Sequence, residues 1–312
     1  MTDDTVLGDR MSGAVWGHLV GDAAGVPYEF VPGPIRNVRW GHVGTHHQPP
    51  GTWSDDGGLM LALLDSLLDV GFDLDDQARR AVAWMDGPDY KPGPRFDIGI
   101  ATSRALHRVK RGVAAVSAGG CDEGDNGNGS LMRILPVALV GRDLPAAELA
   151  AAACRASRVT HGHGRSQVTC AVYCLLVQAI LAGERDLDAA LESALSTAGA
   201  SLDPDLRAEL ALLRGYGSRS GTGYVLDCFW SAWEAFRSAA SYQETVERAI
   251  GFGSDTDTTA AVAGALAGAF RGIGAIPPVW LDGMRGREIA QPLIDRLIKG
   301  SGRPRPTAPA WR

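Results

Sequence analysis

Two segments far apart in the chain set hydroxyls and carboxylates side by side where an apolar helix is about to begin. They are Ser54, Asp55 and Asp56 in GTWSDDGGLMLALLDSLL, and Ser254, Asp255, Asp257 and Thr258 in GFGSDTDTTAAVAGALAGA. One acid in such a place would serve as a helix cap, accepting from free backbone N–H groups at the positive end of the dipole. Two exceed that need, and a further carboxylate entering an apolar interior is costly unless a cation offsets it. The two clusters lie some 200 residues apart and suggest one oxygen-rich site assembled from two helix starts. That is the donor set of hard cations such as Mg²⁺ and Mn²⁺. Glu29, at the end of the first helix in GDAAGVPYEF, is a third acidic candidate. The competing reading is ordinary capping for the aspartates and simple solvation for the glutamate.

The elements that must position these groups read as helices from end to end. Apolar periodicity predicts helices over 8–25, 59–70, 74–86, 97–111, 131–140, 145–157, 165–183, 187–199, 204–214, 224–239, 242–250, 257–271 and 286–299. No convincing alternating strand, fixed-period repeat or linker interrupts them, so the expectation is one compact all-α domain over residues 1–300. Gly and Pro dominate GSGRPRPTAPAWR, which is expected to be a mobile tail over 301–312. Three long glycine-rich loops, 31–56, 112–130 and 215–223, each end at a helix start, and loops of that length in a compact domain are usually functional or disordered.

Composition narrows the class. The chain has 312 residues, 45% hydrophobic and 21% charged, with a formal charge of −6, which argues against a general nucleic-acid binder. The N-terminus lacks the apolar core of a secretory signal, and the most apolar run, 168–183, is short for a membrane span, so a cytoplasmic protein without membrane association is expected. Five cysteines without paired CxxC spacing point away from a disulfide framework or a zinc site, and Cys170 and Cys174 read as small core residues.

The chain resembles the ADP-ribosylglycohydrolases, including the dinitrogenase reductase-activating glycohydrolase and the ADP-ribosyl-acceptor hydrolases. GDAAGVPYEF, GTWSDDGGLM, GNGSLMRILPVAL and GFGSDTDTTAAVAGALAGA carry the resemblance in the family's order, with FDIG at 96–99 and VTHG at 159–162 in support, from about Gly17 to Gly300. It implies an orthogonal all-helical bundle and a binuclear Mg²⁺ or Mn²⁺ centre held by Ser54, Asp55, Asp56, Asp255, Asp257 and Thr258, with Asp257 bridging the two ions. Glu29 matches a glutamate that moves between metal and substrate, and Glu29, Asp55 and Asp56 are the candidates for acid and base. GDNGNGSLMR, with Asp125, Asn126, Gly127, Asn128 and Gly129, matches the loop that approaches the distal ribose and the diphosphate. A flexible turn is the plain alternative for that loop. His161 could reach a phosphate, Tyr224 could flank the adenosine, and Asp97 matches a residue near the leaving group in relatives acting on arginine. Structural histidine, buried tyrosine and helix cap are their respective plain readings. His46, His47 and His163 read as solvent-facing loop residues.

The implied activity is release of ADP-ribose from a modified protein or a small ADP-ribosyl substrate, arginine-linked first and serine-type O-linked second, by a monomer. Ser54 replaces the commoner Thr, Gly57 stands where many relatives have Thr, and Ser254 where many have Gly; no carboxylate is lost. Two rival readings compete with this one. An isoprenyl-diphosphate synthase or terpene cyclase needs carboxylates one helical turn apart, and Leu59 and Met60 stand there instead. A catalytically silent, crystallin-like binder would have no use for clustered carboxylates that repel one another.

Overall fold

The computed structural model describes residues 3–300, and the expected tail over 301–312 lies outside them. Fourteen α-helices and no strand are found among the described residues; two isolated bridges, Pro32 with Gly253 and Gly120 with His161, are the only β-type pairings there. The chain packs as two compact units, each discontinuous in sequence. Among the described residues, 3–58, 90–97 and 217–300 form the first, and 59–89 and 98–216 the second.

In the first unit, α1 (Asp3–Gly25) is buried on all sides from Met11 onward, as expected of a helix apolar all round. It starts several residues earlier than its periodicity suggests. Next comes α2 (Asp55–Asp69), which begins in the first unit and runs on into the second. Its start at Asp55 rather than 59 puts both aspartates inside the first turn.

The second unit holds α3 (Leu74–Asp86), α4 (Ile100–Lys110), α5 (Leu135–Val140), α6 (Ala146–Ser157), α7 (Gly164–Leu181), α8 (Leu187–Ser201) and α9 (Arg207–Gly215). α7 is long and apolar enough to cross a membrane by length and composition, but 78% of it is buried inside the fold, so it acts as a core helix. Cys170 and Cys174 lie buried within it, and none of the five cysteines forms a disulfide. Arg80 joins α2 to α3 by ion pairs with Asp65, Asp69 and Asp76.

The chain then returns to the first unit with α10 (Val225–Arg237), α11 (Tyr242–Gly251), α12 (Thr256–Arg271), α13 (Pro278–Asp282) and α14 (Arg287–Gly300). α13 is too short to show a period, which is why sequence periodicity misses it. α1 and α12 make the most extensive helix pair of the chain. Gly13, Gly17, Gly21 and Gly25, four residues apart on one face of α1, meet Gly268, Gly264, Ala260 and Asp257 so closely that a Cβ on any of the four would overlap the opposing backbone. The Tyr242 hydroxyl closes the contact, donating to the Gly17 carbonyl at 2.7 Å. The small residues of both helices therefore bring two backbones together and fix Asp257 beside the end of α1.

Candidate functional site

Asp22, fully buried in α1, organises the start of α2. Its carboxylate accepts from the Ser54 N–H at 2.9 Å and 3.1 Å and from the Gly57 N–H at 2.8 Å. These bonds occupy two of the orphan donors of the α2 N-terminus, and the Asp56 N–H, a third, donates to Ser54 Oγ at 3.2 Å, so none of these three draws on the Asp55 or Asp56 carboxylate. The Ser54 hydroxyl donates to Asp56 Oδ2 at 3.2 Å, and Thr258 Oγ1 on α12 donates to the same oxygen at 3.3 Å. The two sequence clusters thus meet in one place. Asp56 Oδ1 is buried without a hydrogen-bond partner.

The start of α12 is equally constrained. Asp255 occupies the N-cap position, yet its side chain makes no capping bond, whereas Asp73, Asp186 and Ser241 cap α3, α8 and α11 in the ordinary way. The capping reading of Asp255 fails on that contrast. Asp227 pins the glycine-rich loop before α10, accepting from the Ser220 N–H at 3.0 Å and from the Thr222 N–H at 2.7 Å and hydroxyl at 2.9 Å. The Gly221 carbonyl in turn accepts from the Asp255 N–H at 2.8 Å. Length and glycine content allow this loop to be disordered; a buried carboxylate holds it instead.

Glu29 follows a short 3₁₀ turn, Val26–Tyr28, after α1. Carboxyl oxygens of Glu29, Asp97 and Asp257 lie within 4.8 Å of one another, a grouping able to hold a metal ion. Asp97, expected near a leaving group, therefore belongs to the same oxygen cluster as two residues expected to be ligands. It caps nothing, since α4 begins later, with Gly99 at its N-cap. His46 corrects a second expectation, because it is not solvent-facing but pairs through Nε2 with Glu29 Oε2. His163 likewise caps α7, its Nδ1 accepting from the Arg165 N–H at 3.2 Å, while His47 is exposed.

Burial first, and then the neighbouring negative charges, push these carboxyls upward. Glu29 rises to about 9 with Asp97, Asp255 and Asp55 contributing, and Asp56 and Asp257 are raised well above the carboxylate range. Burial raises Asp22 to about 7 against the lowering effect of its N–H donors. No lysine or arginine pairs with Asp22, Glu29, Asp56, Asp97 or Asp257 among the described residues. Hard oxygen donors, an unpartnered buried carboxylate oxygen and the lack of a compensating side-chain cation together fit one or more divalent ions.

The remaining expected residues lie in the second unit, apart from Tyr224, which is the half-buried N-cap of α10. Asp125 closes a capping box with Asp122 around a 3₁₀ turn, Glu123–Asp125. Asn126 is buried, donating to the Glu123 carbonyl at 3.0 Å and accepting from Ser166 Oγ at 3.1 Å. The segment is therefore a braced turn, not the flexible one that its composition also allowed. Asn128 and Gly129 are buried in the next turn, Asn128–Ser130, with Gly127 at its N-cap. A Cβ at Gly129 would press on the His161 ring at 2.8 Å. His161 is buried, its Nδ1 is 3.0 Å from Thr160 Oγ1, and burial with the nearby Arg133 lowers it to about 3. Arg133 itself, missed in the sequence, donates to the Ala156 carbonyl at 2.9 Å and to Thr160 Oγ1 at 2.8 Å.

Comparison with known proteins agrees with this architecture. The family model for ADP-ribosylglycohydrolase matches residues 2–307. The chain belongs to the ADP-ribosylglycohydrolase family. It is 31% identical to the ADP-ribosylarginine hydrolase Tri1 of Pseudomonas putida (strain GB-1), over 92% of this chain and 78% of that protein. It is 30% identical to the ADP-ribosyl-[dinitrogen reductase] glycohydrolase of Rhodospirillum rubrum, over 88% and 89%. A solved structure, an ADP-ribosylglycohydrolase-related protein complex, superposes with a TM-score of 0.78 at 35% identity and covers 95% of this chain and 99% of that one.

As a glycohydrolase-family chain, it carries its motif departures with local reasons. Gly57 is packed by Trp53, and a Cβ there would meet the indole at 2.7 Å and Leu19 at 2.8 Å. In this chain the tryptophan fills the space that a larger residue would need. Ser254 adopts φ 64°, the left-handed region that favours glycine. Two backbone bonds hold it there: its N–H donates to the Val31 carbonyl at 2.9 Å, and its carbonyl accepts from the Phe30 N–H at 2.7 Å.

Proposed function

We propose that this protein hydrolyses the C1″ glycosidic bond joining ADP-ribose to an acceptor side chain, arginine first, and that the first unit's carboxylate cluster is its hydrolytic centre. The reading rests above all on the convergence of Glu29, Asp97 and Asp257. Two divalent cations, Mg²⁺ or Mn²⁺, would be held among Ser54, Asp55, Asp56, Asp255, Asp257, Thr258 and Glu29, where they would supply Lewis acidity toward ribose hydroxyls and water.

The chain's own groups account for the rest. Cleavage passes through an oxocarbenium-like state, which surrounding carboxylates favour by charge. A water oxygen bonds to C1″ as the C1″–N bond breaks; one of Glu29, Asp55 and Asp56 takes the proton from that water, and the leaving guanidine nitrogen gains one from another, protonated member of the same set. Asp97 can pair with a guanidinium, which favours arginine over a hydroxyl acceptor. Asp125 to Gly129, His161 and Tyr224 are assigned to substrate contacts on the motif resemblance. The names of the Pseudomonas and Rhodospirillum relatives point to the same substrate class.

Parallel assays of defined arginine-linked and serine-linked ADP-ribose peptides, with and without Mg²⁺, test the proposal. Metal-dependent release from the arginine-linked peptide is expected. Turnover of the serine-linked peptide alone would overturn the arginine preference, and tight ADP-ribose binding without turnover would overturn the enzyme reading.

A further inference from the structure

Glu29 is gripped from two sides. On one side its neighbours are tied to the α12 start through the Phe30 and Ser254 backbones. On the other, the segment 44–46 runs alongside it: the Thr45 N–H donates to the Pro27 carbonyl at 3.1 Å, and Thr45 Oγ1 donates to the Glu29 carbonyl at 2.7 Å. His46 Nε2 then meets the Glu29 carboxylate. The imidazole is itself located by two aromatic rings, Phe30 at 5.7 Å edge-on and Phe96 at 5.1 Å. Phe30 is 66% exposed and sits at φ 64°, a strained backbone for a bulky residue. Such strain persists only where surrounding contacts over-determine it. Here the strain turns an aromatic ring toward the imidazole instead of into the core.

We propose that His46 is a positioning residue for Glu29: by donating from Nε2 it holds the carboxylate inward beside Asp97 and Asp257, with Phe30 and Phe96 setting the plane of the ring. The role rests on the proposed hydrolytic reading of the cluster, because it matters for turnover only if Glu29 does. It follows the general pattern in which a group next to a ligating carboxylate fixes its orientation, and loss of such a group costs about 10–100-fold in affinity or activity. The loop 31–56 thereby has a defined task, to deliver a ring to Glu29.

Crystal structures of His46→Ala and His46→Gln, with steady-state rates on the arginine-linked peptide, test the role. Gln can place an amide N–H where Nε2 stands; Ala cannot. In the Ala variant Glu29 is expected to leave the Asp97 and Asp257 cluster and kcat to fall about 10–100-fold with KM changed far less. The Gln variant is expected to restore both. A Glu29 that keeps its place in the Ala variant would overturn the proposal, as would displacement in both variants or an unchanged kcat despite displacement. If wild-type protein releases no ADP-ribose, the functional reading falls, while the position of Glu29 in the two variants still decides what His46 does.

Discussion

At the scale of single residues, the defining property of the site is the crowding of buried carboxyl groups, with no lysine or arginine against Asp22, Glu29, Asp56, Asp97 or Asp257 among the described residues. Without a cation the folded protein keeps protons on Asp22 up to about pH 7 and on Glu29 up to about pH 9, whereas the unfolded chain releases them near 4. The native state therefore binds more protons in that window, and stability falls as pH rises. These groups contribute fully below about pH 4, and the contribution is lost as pH climbs through the two folded values. Melting of metal-free protein from pH 5 to 9 is expected to show a declining temperature, and added Mn²⁺ is expected to recover most of the loss at pH 8. A flat profile without metal would contradict the electrostatic account. Asp55, Asp56, Asp255 and Asp257 were legible in the sequence because their number exceeded what a cap requires. Asp22 and Asp227 were not, although each is an acid set among apolar residues of its helix, in HLVGDAAG and YVLDCFW; the signal was present, but their task is to hold backbone N–H groups, and nothing local announces which ones. His46 was misread because its partner lies 17 residues away across a loop without a period.

At the scale of elements, helix types and most helix centres followed from periodicity, but the starts of α1, α2 and α5 did not, α5 beginning at Leu135 where periodicity expects 131. The α2 start depends on Asp22, a residue 32 positions earlier that supplies its cap. The glycines of α1 pose a related problem. In a helix interior Gly is about 1 kcal/mol worse than Ala, so a local reading counts four of them as a weakness. The contact with α12 reverses the sign, since each permits backbone approach. Gly21→Ala is accordingly expected to destabilise the protein by about 1–3 kcal/mol, overpacking outweighing the gain in propensity. Urea denaturation measures it; an increase in stability would show that α1 and α12 do not depend on that approach. Because Gly25 abuts Asp257 on the same face, the packing of these helices also sets the geometry of the oxygen cluster.

At the scale of the whole molecule, the chain uses its two units unevenly. All the carboxylates of the proposed hydrolytic centre, together with Asp22, Asp227 and His46, lie in the first unit, which is assembled from three separate stretches of sequence. A reading along the chain sees helices in succession without a linker and cannot see that residues 90–97 belong with 3–58 and 217–300. That placement is why Asp97 reads as an isolated FDIG aspartate and yet stands beside Glu29 and Asp257. Asp257 separates divalent-metal binding for glycoside hydrolysis, as proposed for this cluster, most cleanly from a purely structural role. Asn ranks with Asp as a helix cap, but it carries no charge and offers one coordinating oxygen in place of two. Calorimetric titration of Mn²⁺ into wild type and Asp257→Asn, with ADP-ribose release measured on the same samples, is the direct test. Asp257→Asn is expected to stay folded, to bind metal far more weakly and to lose turnover by orders of magnitude; a folded variant with unchanged metal binding and normal turnover would contradict the binuclear-site assignment.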